Sequence, residues 1–294
     1  MEKISIVIPV YGQWKLVERN INALLHYDRR NINEIIIVDD YSQEKNPYVF
    51  DDSLVKIIKN PENLGYTATV NNGLKIATSD IILLLDSDAY PIEPFAEKLI
   101  ALYKDQAIGC VGFRTVDETG KETGSFERFE PTIIGLIVGQ KLQLKLDEIG
   151  FWRKKQVLPY SCCVSFRKQC LQELNYFDAN SFPVLEADND IAMRVHNSDW
   201  KLFFTKEITI CHKGGNSYKI NYKRTLLYHE SRWRLLKKHG KLKHPALVKK
   251  LIQARIKSEL LILKFLSVIK QNNIDIKEKI EGRKILLQKV FLYS

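Results

Sequence analysis

The chain has no C-x-x-C pair, no zinc-ligand spacing, no glycine-rich loop after its first apolar run and no hydrophobic segment long enough to cross a bilayer. Each absence removes a class. Its five cysteines (Cys110, Cys162, Cys163, Cys170, Cys211) include an adjacent pair and an odd one out, which points to reduced thiols in an intracellular setting rather than a disulfide framework. Without a Gly-rich turn to cradle phosphates, a nucleotidyltransferase is disfavoured. The longest apolar stretch, Leu260 to Ile269, is about half a bilayer span and contains Lys264. The N-terminus enters an apolar run after one lysine, without a signal-peptide layout. The expectation is a cytoplasmic protein, soluble or peripheral at the inner face of the plasma membrane. Nine Pro and 14 Gly exclude collagen-like or linker-dominated chains. There is no internal repeat.

What is present is ordinary globular material: 294 residues, 45% hydrophobic and 27% charged, enough for one large or two modest domains. Charge is the exception. The net +10 is uneven, because residues 221–294 hold 19 Lys+Arg against five Asp+Glu, a net +14, leaving 26 against 30, or −4, for the rest. A net positive chain suggests nucleic acid, but the body is mildly acidic and carries no helix-turn-helix, zinc finger or RNP-type aromatic motif, so no nucleic-acid partner is expected.

The N-terminal half alternates strand and helix signals. Buried strands are expected at Ile4 to Val10, Glu34 to Val38, Val55 to Ile58, Ile81 to Leu85 and Ile108 to Phe113. Helices are expected after the first strand (Leu16, Val17, Ile21, Leu24, Leu25), over Ala68 to Ala77 and around Phe95 to Tyr103. Near-continuous Val/Ile/Leu strands separated by helices predict an α/β fold, a Rossmann-like, mostly parallel sheet with helices on both faces. Ligands bind beyond the carboxyl ends of such strands, where this chain places Tyr11, Asp39, Asp40, Asp86 and Asp88. Arg114 to Pro159 reads as an insertion with some helix around Ile133 to Leu146. Its Phe126, Phe129 and Trp152 are candidates either for stacking on sugar faces or for a minor core. Strand character resumes at Tyr160 to Phe166 and near Leu202 to Phe204, with a helix opening at the acidic run Glu186 to Asp190. Two domains are expected, 1–220 and a basic helical region 221–294.

Asp86-Ser87-Asp88 ends a buried strand. If the chain stays extended there, the two carboxylates project to one side and can hold Mg²⁺ or Mn²⁺, leaving positions open for diphosphate oxygens; the alternative is a solvated turn. In Val38 to Ser42, one Asp could accept from a nucleobase or ribose while the other caps the turn.

In combination, Ser5 to Tyr11, Ile37 to Ser42, Asn60 to Tyr66 with Asn71-Asn72-Gly73, Leu84 to Asp88, Phe177-Asp178, Asp188 to Arg194, Asp199-Trp200 and His212 to Ser217 resemble the family 2 glycosyltransferases. The likeness runs over roughly residues 4 to 220 and is nearest to the bacterial rhamnosyltransferase-like subgroup. It implies the GT-A fold and an inverting, metal-dependent transfer of a hexosyl or deoxyhexosyl group from a nucleoside-diphosphate sugar to a saccharide or lipid-linked acceptor, in bacterial surface polysaccharide or glycoconjugate synthesis. By that resemblance Pro9, Tyr11 and Asp40 contact base and ribose, and Asn63 and Gly65 close over the nucleotide. Asp86, Ser87 and Asp88 form the metal-and-donor triplet, with Mn²⁺ or Mg²⁺ on Asp86, Asp88 and His212. Asp188 is the catalytic base.

The chain departs from the family pattern at three places. Ala187 stands where Glu usually precedes the base, leaving Glu186 one residue early and Asp190 as an alternative. Lys213 replaces a second histidine. Tyr41 replaces the usual small residue after the Asp pair. Ala187 also raises a second reading, a catalytically inactive nucleotide-sugar-binding or scaffold protein. In the tail, Leu247, Val248, Leu251, Ile252, Ile256 and Leu260 form an apolar stripe opposite Lys249, Lys250, Gln253 and Lys257. Such a basic amphipathic stretch either lies on an anionic membrane surface or packs on the catalytic domain.

Overall fold

A computed structural model describes residues 2–124, 126–127, 129–149, 156–212, 222–269 and 274–293. In chain order the elements are β1 (Ile4–Val10), α1 (Trp14–Asp28), β2 (Ile32–Asp39), β3 (Val55–Lys59), α2 (Tyr66–Ile76), β4 (Ile81–Leu85), β5 (Ala89–Pro91), α3 (Ala96–Leu102), β6 (Ile108–Val116), β7 (Phe126–Glu127), α4 (Ile133–Val138), α5 (Gln140–Ile149), β8 (Leu158–Pro159), β9 (Cys163–Arg167), α6 (Lys168–Glu173), α7 (Ala187–His196), β10 (Lys201–His212), α8 (Tyr222–Lys238), α9 (Pro245–Ile269) and α10 (Ile274–Leu292). They fall into two compact units. Residues 1–130 and 156–214 make an α/β unit; residues 131–155 and 215–294 make a helical unit. The segment 114–159, which reads as one insertion, is therefore divided. Its first part extends β6 and pairs β7 with β8, and α4 and α5 belong to the helical unit.

In the α/β unit an eight-stranded sheet runs β3-β2-β1-β4-β9-β6-β10-β5. The neighbours from β3 to β4 are parallel, as are β6 and β10. The expected mostly parallel sheet is found, with four parallel pairings of seven, and antiparallel strands are mixed into it: β9 runs antiparallel between β4 and β6, and β5 antiparallel to β10. Both faces of β1 and β4 are buried because every residue is apolar or bonded within the sheet. Helix α2 lies against this sheet at Gly73, where a Cβ would sit 2.4 Å from Val7 Cγ1 and 3.0 Å from Val38 Cγ2. The Glu34 carboxylate is buried within the sheet: on β2 it accepts from Ser5 Oγ (2.8 Å), Thr78 N (2.7 Å) and Lys56 Nζ (2.9 Å). Asp28, at the end of α1, caps α3 by accepting from the amides of Phe95 and Ala96 at 3.0 and 3.1 Å.

Two aromatic residues of the 114–159 segment are packed rather than presented. Phe126 lies on Phe204 with ring centroids 4.8 Å apart, and Phe129 is buried. Trp152 lies outside the described residues. All five cysteines are buried and free.

The helical unit has its own core of Leu136, Trp233, Leu236, Val248, Ile252, Ile256 and Leu286. The apolar stripe expected from Leu247 to Leu260 divides here. Val248, Ile252 and Ile256 are buried, while Leu247 and Leu251 are exposed. A polar string runs through this core: Arg255 Nη1 bonds Glu259 Oε1 at 3.1 Å, Arg283 pairs with the other oxygen of Glu259, and Arg255 Nη2 donates to His229 Nε2 at 3.2 Å. Among the described residues no helix is long and apolar enough to cross a membrane.

Candidate active site

The β1–β4 ladder ends at Val7 and Leu84, while β1 continues beside β2 through Pro9 and Val10. Proline brings no N–H to a ladder, so its place beyond the β4 pairing costs no bond, and the strands part at their carboxyl ends. That edge collects the polar residues.

After β4 the chain does not stay extended. Ala89 N donates to Asp86 O at 3.0 Å, closing a turn over Asp86, Ser87, Asp88 and Ala89. The turn, rather than the alternation of a strand, sets the two carboxylates side by side. It hands the chain to β5, which pairs with the end of β10 so that Ala89 faces His212. Ligand atoms of Asp86, Asp88 and His212 consequently lie within 4.8 Å of one another.

Neighbouring side chains hold this turn. Tyr66 OH, at the start of α2, donates to Asp86 Oδ1 at 2.8 Å and lies 3.1 Å from Ser161 Oγ. The amide of Asp86 donates to Cys162 O, and buried Asn20 of α1 donates to Asp86 O at 3.2 Å. None of Asn20, Tyr66 or Ser161 carries a sequence signal of its own. The one hint is that Tyr66 closes the Asn60 to Tyr66 motif.

The electrostatics are those of a crowded carboxylate pair. Burial, reinforced by the charge of Asp88, pushes Asp86 up to about 6 against the pull of the Tyr66 hydroxyl. Burial also works to raise Asp88, but His212, 3.5 Å away, outweighs it and holds Asp88 below the usual carboxylate range. Burial disfavours the His212 cation, yet Asp88 and the Cys162 thiol raise the imidazole to about 11. Two carboxylates and one imidazole are hard and borderline donors suited to Mn²⁺ or Mg²⁺, and a cation there relieves the carboxylate that burial drives toward protonation. The residues fit a divalent metal.

The remaining strand ends carry the other candidates. Asp39 caps its own turn, accepting from Ser42 N at 2.8 Å. Asp40 is buried and gathers the following loop: its carboxylate accepts from Asn60 Nδ2 (2.9 Å), Leu64 N (2.8 Å) and Gly65 N (3.0 Å). Gly65 has φ +84, a left-handed conformation that favours glycine. Pro9 is buried opposite Val38, and Asn63 is exposed on the loop. Tyr11 and Tyr41 project from the ends of β1 and β2, 56% and 43% exposed. Tyr41 adopts φ +61, which explains why a small residue suits this position, and Lys59 Nζ lies 5.2 Å from its ring centre. At about 4.8 Å per strand, these groups stand one and two strands from the Asp86 cluster.

Asp188 lies in the first turn of α7 and lines a crevice with Ser161, Pro159 and Ile191. Ser161 Oγ also lies 3.1 Å from Tyr66 OH, the hydroxyl that donates to Asp86. Asp190 is fully buried and bonded to Arg194 Nε at 2.9 Å, and Arg194 in turn donates to the carbonyls of Leu174 and Tyr176. Glu186 is buried at φ +73 and accepts from Asn189 Nδ2 at 2.9 Å. The loop leading to α7 is clasped by α2: Asn71 exchanges two bonds with Phe177, and Thr67 Oγ1 donates to Phe182 O at 2.6 Å. Lys213 lies outside the described residues.

A family model, Glycosyl transferase family 2, matches residues 5–174. An uncharacterized glycosyltransferase of Haemophilus influenzae is 36% identical over 103 residues, 33% of this chain and 41% of that protein. The pre-mycofactocin glycosyltransferase of Mycobacterium tuberculosis is 25% identical over 185 residues, 60% of this chain and 35% of the other. The chain thus spans less than half the length of these curated relatives. Among solved structures, a mannosyltransferase from Pyrobaculum calidifontis in complex with GDP-Man and Mn²⁺ superposes with a TM-score of 0.59 at 13% identity, covering 99% of this chain and 86% of that one. At this identity the likeness is one of fold, the GT-A fold.

Proposed function

The chain belongs to glycosyl transferase family 2, and on that premise we propose that it moves a sugar from a nucleoside-diphosphate sugar to an acceptor hydroxyl with inversion at the anomeric carbon. The observation that carries this reading is the Asp86–Asp88–His212 cluster at the carboxyl edge of the sheet. Mn²⁺ or Mg²⁺ bound there supplies charge neutralisation for a leaving diphosphate. Tyr66 and Asn20 hold the turn that presents the two carboxylates. Tyr11, Asp40 and the loop of Asn63 and Gly65 receive the nucleoside, Asp40 acting by fixing the loop amides as well as by any contact of its own. Asp188 takes the proton of the acceptor hydroxyl. What supports Asp188 over Asp190 is the commitment of Asp190 to Arg194 inside the protein. The transferred group is a hexose or deoxyhexose. The acceptor is a saccharide or lipid-linked saccharide of bacterial surface polysaccharide or glycoconjugate synthesis, met in the cytoplasm or at the inner face of the plasma membrane. The +14 tail supports a membrane-side acceptor.

The test is a panel of UDP-, dTDP- and GDP-sugars with Mn²⁺, read by thermal shift and by release of nucleoside diphosphate. One donor should bind and turn over only with metal. Asp86→Ala and Asp88→Ala should each abolish turnover, and Asp188→Asn should abolish transfer while donor binding survives. Unchanged metal-dependent turnover in both aspartate variants overturns the metal assignment. Donor binding with no turnover under any condition leaves the inactive sugar-nucleotide-binding reading in its place.

A further inference from the structure

Helix α9 is apolar on two sides. Its inner side, Val248, Ile252 and Ile256, is consumed by the core of the helical unit. Its outer side is uncovered: Leu261, Ile262, Phe265, Val268 and Ile269 are each at least 60% exposed, and Leu247 and Leu251 continue the same side toward the helix start. At 3.6 residues per turn these positions fall on one arc. A contiguous exposed apolar strip of this kind marks an interaction surface.

The charge around the strip selects the partner. Lys250, Lys257 and Lys264 are all exposed and seven residues apart, so they form a row along one margin of the strip. The one acidic residue of α9, Glu259, is occupied by Arg255 and Arg283 within the helical unit. The outer side therefore presents hydrocarbon and positive charge with no carboxylate. A second copy of the chain would bring a second lysine row and a second +14 tail against the first. An anionic lipid surface is complementary to both features. The helix is not apolar enough to span a bilayer, and the lysine row fits one that lies in the interface plane.

We infer that the outer side of α9 docks on an anionic bilayer, with the last turns from Leu261 to Ile269 buried among the headgroups and the lysine row on lipid phosphates. This narrows the membrane part of the proposed function to one surface and rests on none of its chemistry. Purified full-length protein should float with phosphatidylcholine vesicles containing phosphatidylglycerol and not with phosphatidylcholine alone. Leu261→Gln with Phe265→Gln should weaken flotation by at least about tenfold. Lys250→Gln with Lys257→Gln and Lys264→Gln should remove its dependence on the anionic lipid. Nucleotide-sugar hydrolysis without vesicles should be unchanged in both variants, and its absence from the wild type would count against the proposed chemistry alone. The Phe265→Trp variant, which keeps an aromatic ring at the surface, should show a blue shift in fluorescence on adding anionic vesicles, beyond any shift of the wild type. Wild-type protein that fails to float, a Gln variant that floats like wild type, or no added blue shift in the Phe265→Trp variant overturns the inference. So does a dimer in sedimentation equilibrium that the Gln variant converts to monomer in the absence of vesicle binding, which would make the strip a self-association seam.

Discussion

Glu34 in the α/β unit and His229 in the helical unit are both buried ionisable groups, and their surroundings push them in opposite senses. Burial works to protonate Glu34, but bonds from Thr78, Lys56 and Ser5 outweigh it and hold the carboxylate down to about 2. His229 faces Arg255 and Arg283, so burial and like charge both act against its cation and lower it to about 3. Its Nε2 accepts from Arg255, which requires the neutral ring. The α/β unit thus buries a charge it has fully paired, whereas the helical unit buries a base that must stay uncharged. Burial alone predicts neither outcome; the partners decide.

The two groups should separate the units by acid. His229 takes up a proton in the unfolded chain near 6.5 but in the folded one only near 3, so its contribution is complete above about pH 6.5 and is lost progressively below it, roughly 5 kcal/mol in all. Glu34, depressed from 4.5 to about 2, contributes fully above about pH 4.5, and its roughly 3 kcal/mol is lost only as pH falls from there toward 2. Hydrogen exchange at about pH 5, corrected for intrinsic rates, should therefore show α8 amides losing about 2 kcal/mol of protection relative to neutral pH, with no such loss in β1 and β2. His229→Gln should flatten the loss in α8. Equal losses in both units would remove the distinction.

A smaller difference is expected from glycines. In the α/β unit Gly73 is where α2 touches the sheet, and an added methyl meets Val7 inside contact distance. Gly73→Ala should cost about 2 to 3 kcal/mol through forced repacking. In the helical unit Gly240 has φ +65 and open space around it, so Gly240→Ala should cost only the backbone term, about 1 kcal/mol. Urea titration of the two variants measures both. If the costs come out alike, the close packing of α2 on β1 is less constrained than its geometry implies.

The same contrast explains what could be read from the sequence. Apolar, β-branched-rich runs located β1 to β4 and β6, although β3 (Val55–Lys59) is largely exposed, and acidic turns after β2 and β4 located the site edge, because strand composition and turn chemistry are local. The antiparallel insertion of β9 was not legible, since a strand buried on both faces reads alike in either direction. That insertion, with the β5–β10 pairing, carries Ser161, Cys162 and His212 to the Asp86 turn. Asn20 and Tyr66 act through contacts 66 and 20 residues away in sequence, which no local pattern encodes. In α9 the 3.6-residue period found an apolar helix but not which side is covered: Val248 and Leu251 share the stripe, and only one is buried.

Tyr41 tests the smallest term and links stability to the site. A non-glycine residue at φ +61 is strained by roughly 1 kcal/mol, and asparagine tolerates that region better than an aromatic side chain. The stacking of Lys59 on the ring returns part of this, about 0.5 kcal/mol at an exposed site. Tyr41→Asn should therefore stabilise the α/β unit by about 0.5 kcal/mol, a rise in Tm of roughly a degree or two. His244, at φ +52 in the helical unit, offers a control in which His244→Asn should gain a similar amount with no effect on ligands. The informative quantity is the donor-dependent thermal shift. If Tyr41→Asn raises Tm but reduces that shift, the strained ring is held over the end of β2 because the nucleoside uses it. If the shift is unchanged, the strain serves only the turn that aims Asp40 at the loop amides of Leu64 and Gly65.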